Sequence, residues 1–158
     1  YSFALGVRSA KEFPVLLTMV DHLFCVDLLR RASSKRGDLV VVGDRDPKYV
    51  NIHEATKILA ESSKVKKIGK DLREYTHVDT GVFSVGRKFA DYCIRRAREG
   101  SSLSELIQEA VENGLDILVA EVSGAYWTDI DTPNDLEEVL TGKRRIVLER
   151  VKKDVFGS

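Results

Sequence analysis

The chain has 158 residues, of which 43% are hydrophobic and 32% charged, and this is enough to bury one core and form a single domain. Its 25 basic residues balance its 25 acidic ones, so no global field favours nucleic acid or an anionic membrane as a partner. Two cysteines without CxxC spacing, and no apolar run near the ~20 residues needed to cross a bilayer, exclude a disulfide scaffold and a transmembrane protein. We therefore expect two buried, reduced cysteines and a cytoplasmic protein.

Helical and strand patterns alternate along the chain. Predicted helices cover Tyr1–Phe13, Val26–Ala32, Arg87–Glu99, Leu103–Asn113 and a segment from a Thr132 cap to Leu140. Predicted strands cover Val15–Val20, Leu39–Val42, a hairpin of Ile52–Leu59 and Lys64–Ile68, Val78–Val85, Leu115–Val122 and Ala125–Ile130. This order predicts an α/β domain with a mixed, mainly parallel sheet flanked by helices.

Two acidic side chains stand where strands are predicted to end. The run Val15–Val20 is apolar except for Thr18, which predicts a strand buried on both faces, and Asp21 follows it. In open α/β sheets, ligands bind at the carboxyl ends of strands. Asp129 lies in the stretch WTDIDTPNDL, just before a predicted helix start.

Asp21 and Asp129 are the candidate ligands for a divalent cation. Magnesium is held by one or two carboxylates and takes its other ligands from water and substrate phosphates, so two distant aspartates suffice. The alternative is that Asp21 ends a strand and Asp129 belongs to a loop. Asp131 precedes the Thr132 cap, which favours a role at the positive end of the helix dipole.

A second group of polar residues could bind an anionic, hydroxyl-rich ligand. Lys57, Lys70 and Arg45 offer cations, although each is equally compatible with a solvated surface charge. The sequence Asp79-Thr80-Gly81 offers an acceptor, a hydroxyl and a glycine, and a glycine within a strand marks a bulge or a close ligand approach. No GxGxxG or P-loop sequence is present.

Four segments, taken together and in order, resemble one known family. They are LLTMVDHLF, GDRDPKYVNIHEATKI, KKIGKDLREYTHVDTGVF and WTDIDTPNDL. This succession resembles the sugar-1-phosphate nucleotidyltransferases, most closely the CTP:myo-inositol-1-phosphate cytidylyltransferases, over roughly residues 1–140. The resemblance implies a Rossmann-like nucleotidyltransferase fold of which this chain is the carboxy-terminal part.

The resemblance also implies a reaction and a set of site residues. Inositol 1-phosphate would attack the α-phosphorus of CTP and release pyrophosphate, with Mg2+ as cofactor. Asp21 and Asp129 match the two magnesium-holding aspartates, and Lys70 matches the lysine that meets the acceptor phosphate. The remaining matches, which would bind substrate, are Glu54, Lys57, Asp79, Thr80 and Gly81.

The resemblance further implies a domain boundary and parts of the family that this chain does not include. Residues 1–142 correspond to the acceptor- and metal-binding part, whereas the family's amino-terminal half, with its glycine-rich triphosphate loop, is absent. The initial Tyr agrees with a chain that begins partway through a longer product, so we expect little or no catalysis from these residues alone. The basic tail 143–158 is either a packed terminal helix or a connector to a membrane domain, which some relatives have and which would bring the protein to the membrane surface.

Two alternatives to this function remain open at the level of sequence. One is a nucleotidyltransferase of the same fold that uses a hexose 1-phosphate. The other is a non-catalytic binding domain, which could lose Asp21 and Asp129 without harm. The presence of both aspartates favours the enzyme.

Overall fold

The computed structural model describes residues 2–157. Within them, α-helices and strands alternate as an α/β domain. The helices are α1 (Ser2–Arg8), α2 (Asp27–Ala32), α3 (Arg87–Arg96), α4 (Leu103–Glu112), α5 (Pro133–Leu140) and α6 (Arg145–Phe156). The strands are β1 (Val15–Thr18), β2 (His22–Phe24), β3 (Leu39–Asp44), β4 (Lys57–Glu61), β5 (Lys64–Gly69), β6 (His77–Val85), β7 (Ile117–Val122) and β8 (Trp127–Asp129).

Six strands form a mixed sheet in the order β1-β6-β3-β7-β5-β4, with a further pairing between β6 and β4. The predicted fold class is confirmed, but the prediction that the sheet is mainly parallel is wrong, because among the strands of residues 2–157 only β3 and β7 pair in parallel. The strands β3 and β6 are buried on both faces, and a continuous apolar run indicates such burial without fixing the direction of the neighbouring strand.

The core lies in two layers, one on each face of this sheet. On one face, Phe83, Phe89 and Ile107 pack between the sheet and helices α3 and α4. On the other face, Leu28 of α2 packs with Val40 and other residues of a second cluster that includes Trp127. Cys93 lies in the first cluster and Cys25 in the second, and both are buried free thiols as predicted.

Strand β1 differs most from its prediction. It pairs only with β6, so it is the edge of the sheet, and its side chains alternate between half-buried and exposed. Leu16 and Met19 are exposed and Val20 is fully exposed. The prediction of burial on both faces is therefore wrong within the described residues, because no element of residues 2–157 covers the outer side of β1.

The Thr132 cap predicted for α5 is confirmed. Ser102 and Glu105 form a capping box at α4, and Thr132 and Asp135 form one at α5 with Pro133 in the first turn. Several helix and strand ends differ from the prediction. Helix α1 ends at Arg8 and short turns follow it, whereas the predicted helix extended to Phe13. The first hairpin strand begins at Lys57, because residues 51–56 form a turn.

The basic segment 143–158 folds within its described residues as helix α6. Val147 is fully buried, and the backbone N–H of Val26 donates to the Asp154 carboxylate at 3.0 Å. The Arg150 guanidinium lies 5.8 Å from the centre of the Tyr126 ring. Helix α6 therefore packs against the ribbon of β2 and β8. None of the helices in residues 2–157 has the length and apolar character needed to cross a bilayer.

Candidate functional site

The two aspartates proposed as metal ligands are brought together by a small antiparallel ribbon. Strand β2 pairs with β8 so that His22 lies opposite Asp129, and the N–H of Ile130 donates to the backbone carbonyl of Asp21 at 2.9 Å. These residues are more than one hundred positions apart in the chain. Both aspartates line one cavity of about 240 Å³.

Six of the eight predicted site residues line this cavity. They are Asp21, Glu54, Lys70, Asp79, Gly81 and Asp129. The cavity opens beside the bulge in β6, where the pairing with β3 shifts between Val41 and Gly43 and Gly81 has a φ of 73°. The predicted bulge at Gly81 is therefore confirmed, and it turns the backbone of β6 toward the two aspartates.

Lys57 and Thr80 do not line the cavity. The Lys57 ammonium donates to the carbonyl of Lys70 at 2.7 Å and to that of Ala55 at 3.2 Å, so it fixes the backbone that presents Lys70. Thr80 is fully buried and its hydroxyl donates to the Val42 carbonyl at 2.9 Å. Neighbouring side chains of a strand point to opposite faces, so Thr80 lies away from the cavity that Asp79 lines. The substrate contacts of Lys57 and Thr80 therefore stay predictions, and in the structure both side chains donate to backbone carbonyls of the protein.

Asp129 sits in an environment that disfavours its charge. Burial is the largest effect and raises the pKa of the carboxyl group, and the nearby Asp131 carboxylate adds to it. Arg144 opposes this effect, with Nη1 at 3.6 Å from Asp129 Oδ1 and 3.0 Å from Asp135 Oδ1. A carboxylate that is partly desolvated and only partly compensated is typical of a site that receives a cation or a substrate.

Arg144 joins helix α6 to this site. Besides its ion pairs, it donates to the Thr128 hydroxyl at 3.2 Å and to the Asp129 carbonyl at 3.3 Å, and its side chain is largely buried. Sequence analysis placed this residue in the tail and assigned it no role. Arg144 contacts the end of β8 and the α5 capping box at once, so the segment after residue 142 takes part in shaping the site.

Asp79 lines the cavity and has a strongly perturbed carboxyl group. Desolvation raises its pKa to about 6, while the hydrogen bond that it accepts from the Gly81 N–H and the nearby His22 act in the opposite direction. A native pKa above the ordinary value of 3.8 means that the folded protein binds this proton more tightly than the unfolded chain. Stability therefore falls as the pH rises from about 4 through about 6.

The variant Asp79→Asn removes this titration and keeps the oxygen that accepts from Gly81. We expect the free energy of unfolding of the variant, relative to the wild type, to increase as the pH rises from about 4 to about 6 and then to level off. Urea unfolding of both proteins at a series of pH values measures this difference. A difference that does not change with pH would contradict the assignment.

Three residues that sequence analysis did not place in the site hold it together. The fully buried Asp44 accepts hydrogen bonds from the Trp127 indole at 2.8 Å and from the N–H groups of Gly124 at 2.8 Å, Ala125 at 3.1 Å and Asp46 at 3.0 Å. The Trp127 ring stacks on His22 at 6.1 Å. A buried aspartate at the end of an apolar strand was the signal available in the sequence.

The donor set of the cavity suits a hard divalent cation. Carboxylate oxygens from Asp21 and Asp129 are the ligands that such cations prefer. Within residues 2–157 no group of three or more His, Cys, Asp or Glu side chains converges as a metal site. The two aspartates could thus hold a cation that takes its other ligands from water and phosphate.

Known proteins resemble this chain in both sequence and structure. It is 38% identical over 149 residues to the bifunctional IPC transferase and DIPP synthase of Archaeoglobus fulgidus, and 37% identical over 139 residues to the protein of that name from Thermococcus kodakarensis. The structure of the inositol-1-phosphate CTP transferase from T. maritima matches with a TM-score of 0.84 and 27% identity over 96% of the chain. No protein-family model matches.

These similarities cover nearly the whole chain but only part of each relative. The matches include 94% and 86% of the chain, and 28% and 30% of the two bifunctional proteins. The match to the T. maritima structure includes 61% of that protein. The chain therefore spans less than a third of the curated relatives and about three fifths of the solved transferase.

Proposed function

This chain is a relative of the inositol-1-phosphate cytidylyltransferases of the sugar-1-phosphate nucleotidyltransferase family, of which it covers a part, and from this premise we propose that the full-length protein transfers a cytidylyl group from CTP to inositol 1-phosphate. The observation that supports this function best is the pairing of β2 with β8. It brings Asp21 and Asp129 to one cavity that Lys70 also lines.

The proposed reaction is a displacement at phosphorus. A phosphate oxygen of inositol 1-phosphate attacks the α-phosphorus of CTP, the bond from that phosphorus to the bridging oxygen of the β-phosphate breaks, and pyrophosphate leaves. The products are CDP-inositol and pyrophosphate. Such a transfer depends mainly on positioning the two phosphates and on neutralising their charge.

The site residues predicted from the sequence have the following parts in this proposal. Asp21 and Asp129 would hold Mg2+, which when bound supplies positive charge for the phosphates. The Lys70 ammonium would bind the acceptor phosphate, and the carbonyl contact of Lys57 would fix the backbone of Lys70. Glu54 and Asp79 would accept hydrogen bonds from inositol hydroxyls beside the bulge at Gly81.

The exposed edge of β1 supports the proposal that a further part of the domain completes the CTP site. An open groove of about 730 Å³ runs between β1, α1 and α4, lined mainly by apolar side chains, and Met19 lines both this groove and the site cavity. Unpaired strand edges with exposed apolar residues are covered in most native proteins. We propose that the part of the domain that the solved transferase has in addition packs here and supplies the triphosphate-binding loop.

Product formation by the full-length protein tests this function. Purified protein is incubated with CTP, inositol 1-phosphate and Mg2+, and CDP-inositol is measured by mass spectrometry together with released pyrophosphate. We expect transfer that is lost with EDTA and that is far slower with glucose 1-phosphate, whereas residues 1–158 alone should give little or no product. Preferential transfer to glucose 1-phosphate, or no transfer to either acceptor, would contradict the proposal.

A further inference from the structure

His22 lies between the candidate metal ligand Asp21 and the candidate polyol pocket at Gly81. Its Nδ1 atom is 2.8 Å from Asp21 Oδ1, and its ring stacks on Trp127 with an angle of 9° between the planes. The side chain is 16% exposed and lines the site cavity. These contacts fix both the position and the orientation of the imidazole.

The contact with Asp21 decides which ring nitrogen bears the proton when the ring is neutral. An ionised carboxylate can only accept hydrogen bonds, so Nδ1 must be the donor. In the neutral ring Nε2 is then an acceptor, in the protonated ring it is a donor, and a hydroxyl group can pair with either form. Across residues 2–157 no hydrogen bond reaches Nε2, yet this atom is not sealed from solvent. It can therefore form a hydrogen bond with a ligand in the cavity.

The edge of the ring that contains Nε2 lies directly at the bulge of β6. A methyl group at Gly81 would come within 2.6 Å of His22 Cδ2 and 2.9 Å of Nε2, so only glycine leaves room for the ring. Asp79 precedes the bulge and lines the same cavity. Nε2 and the Asp79 carboxylate thus offer two hydrogen-bonding groups beside the bulge.

We infer that His22 is a substrate-binding residue, whose Nε2 forms a hydrogen bond with a hydroxyl group of the polyol acceptor while Nδ1 positions the Asp21 carboxylate. This inference rests on the proposed function, since it names a further contact of the same acceptor. One side chain then couples the metal ligand to the recognition of the acceptor. An acceptor that lacks the matching hydroxyl leaves Nε2 unpaired in a cavity from which it displaces water, and its transfer is disfavoured.

Two substitutions separate the two nitrogens. In His22→Asn the amide nitrogen stands near the place of Nδ1 and can still donate to Asp21, whereas nothing reaches the place of Nε2. In His22→Gln the longer side chain brings its amide near the place of Nε2, and the donor to Asp21 is lost. His53→Asn, at an exposed histidine outside the cavity, is the matched control.

The full-length protein is assayed for KM of inositol 1-phosphate and, separately, for Mn2+ affinity by electron paramagnetic resonance. For His22→Asn we expect KM to rise roughly 10-fold with Mn2+ affinity within about 3-fold of wild type, which is the scale of one hydrogen bond. For His22→Gln we expect the opposite, with Mn2+ affinity reduced roughly 10-fold and the smaller change in KM. Equal effects of both variants on both quantities would show a merely structural role and overturn the inference.

A measurement on the wild type keeps the test independent of the folding of the variants. Inositol phosphates that each lack one hydroxyl are compared as acceptors for the wild type and for His22→Asn. With the wild type, one analogue should be transferred roughly 10-fold less efficiently than inositol 1-phosphate. With His22→Asn, the absence of that hydroxyl should cause no further loss of efficiency. If the wild type shows no such analogue, the inference is overturned but the proposed function is left intact. If the protein does not transfer to inositol 1-phosphate itself, both are overturned.

Discussion

Replacing Asp21 or Asp129 by asparagine is expected to lower cytidylyl transfer by the full-length protein roughly 100- to 1,000-fold. Asparagine keeps the size and one oxygen of the carboxylate, but it removes the charge that binds a divalent cation. Both residues line the same cavity, and Asp21 directly precedes β2, which pairs with the strand β8 that contains Asp129, so we expect both to act on one centre. Because residues that act as a unit are not additive, the double variant should be little worse than either single variant.

The neighbouring Asp131 provides the matched control for this experiment. It lines the same cavity but is exposed and precedes the Thr132 cap. Solvent screens an exposed charge, so Asp131→Asn should change the rate by less than about 5-fold. Initial rates of pyrophosphate release, measured over a series of Mg2+ concentrations, give the comparison. Rates of Asp21→Asn and Asp129→Asn within 5-fold of wild type would remove the metal assignment.

The second large effect concerns stability and centres on Asp44. This buried carboxylate accepts hydrogen bonds from the Trp127 indole and from three backbone N–H groups. In Asp44→Ala these donors lose their partner, which is expected to cost on the order of 3–5 kcal/mol in the free energy of unfolding. For a domain of this size the loss lowers Tm by about 10 °C.

Two further variants define the cause of this loss. Asp44→Asn keeps the shape but turns an NH2 group toward some of the donors, so we expect an intermediate effect of about 2 kcal/mol. Asp46→Asn changes an exposed residue paired with Lys48 at 3.5 Å, and its effect should stay within about 0.5 kcal/mol. Thermal unfolding followed by circular dichroism measures all three. An Asp44→Ala variant that unfolds within 2 °C of wild type would show that water replaces the carboxylate.

The parts of the fold that depend on neighbouring residues could be predicted from the sequence. The capping boxes of Ser102 with Glu105 and of Thr132 with Asp135 are local hydrogen-bond patterns, and both are present. The buried strand β3 follows from its apolar run Leu39–Val42, whereas β6 is buried in spite of Asp79, Thr80 and Ser84. The placement of Asp21 after a strand was also correct, although β1 ends at Thr18 and Asp21 lies in the following turn.

Features that depend on distant pairing could not be predicted from these patterns. The pattern of Trp127–Asp129 gives no indication that β8 pairs with β2, although this pairing creates the site. The direction of each strand and the exposed edge of β1 likewise depend on which elements are neighbours. The sequence offered Asp21 and Asp129 as a pair by residue type and position alone, and the resemblance to a family strengthened that pairing.

Hydrogen-bond and packing partners explain the remaining differences between the predicted site and the site in the structure. Lys57 and Thr80 have the chemistry of ligand-binding residues, but backbone carbonyls of the protein itself accept from two of the three Lys57 donors and from the Thr80 hydroxyl. The sequence offered His22 only as a neighbour of Asp21 and Arg144 only as part of the basic tail, because their contacts depend on Trp127, Gly81, Asp129 and Asp135 around them. A residue type indicates what a side chain can bind, whereas the fold decides which partner reaches it first.

The central claim is that Asp21 and Asp129 together hold one divalent cation. A titration of the full-length protein with Mn2+, followed by electron paramagnetic resonance and reversed with excess Mg2+, tests it without reference to turnover. We predict one displaceable site, an affinity at least about 10-fold weaker in both Asp21→Asn and Asp129→Asn, and an affinity near that of the wild type in Asp131→Asn. Wild-type affinity in both Asp21→Asn and Asp129→Asn would contradict the account.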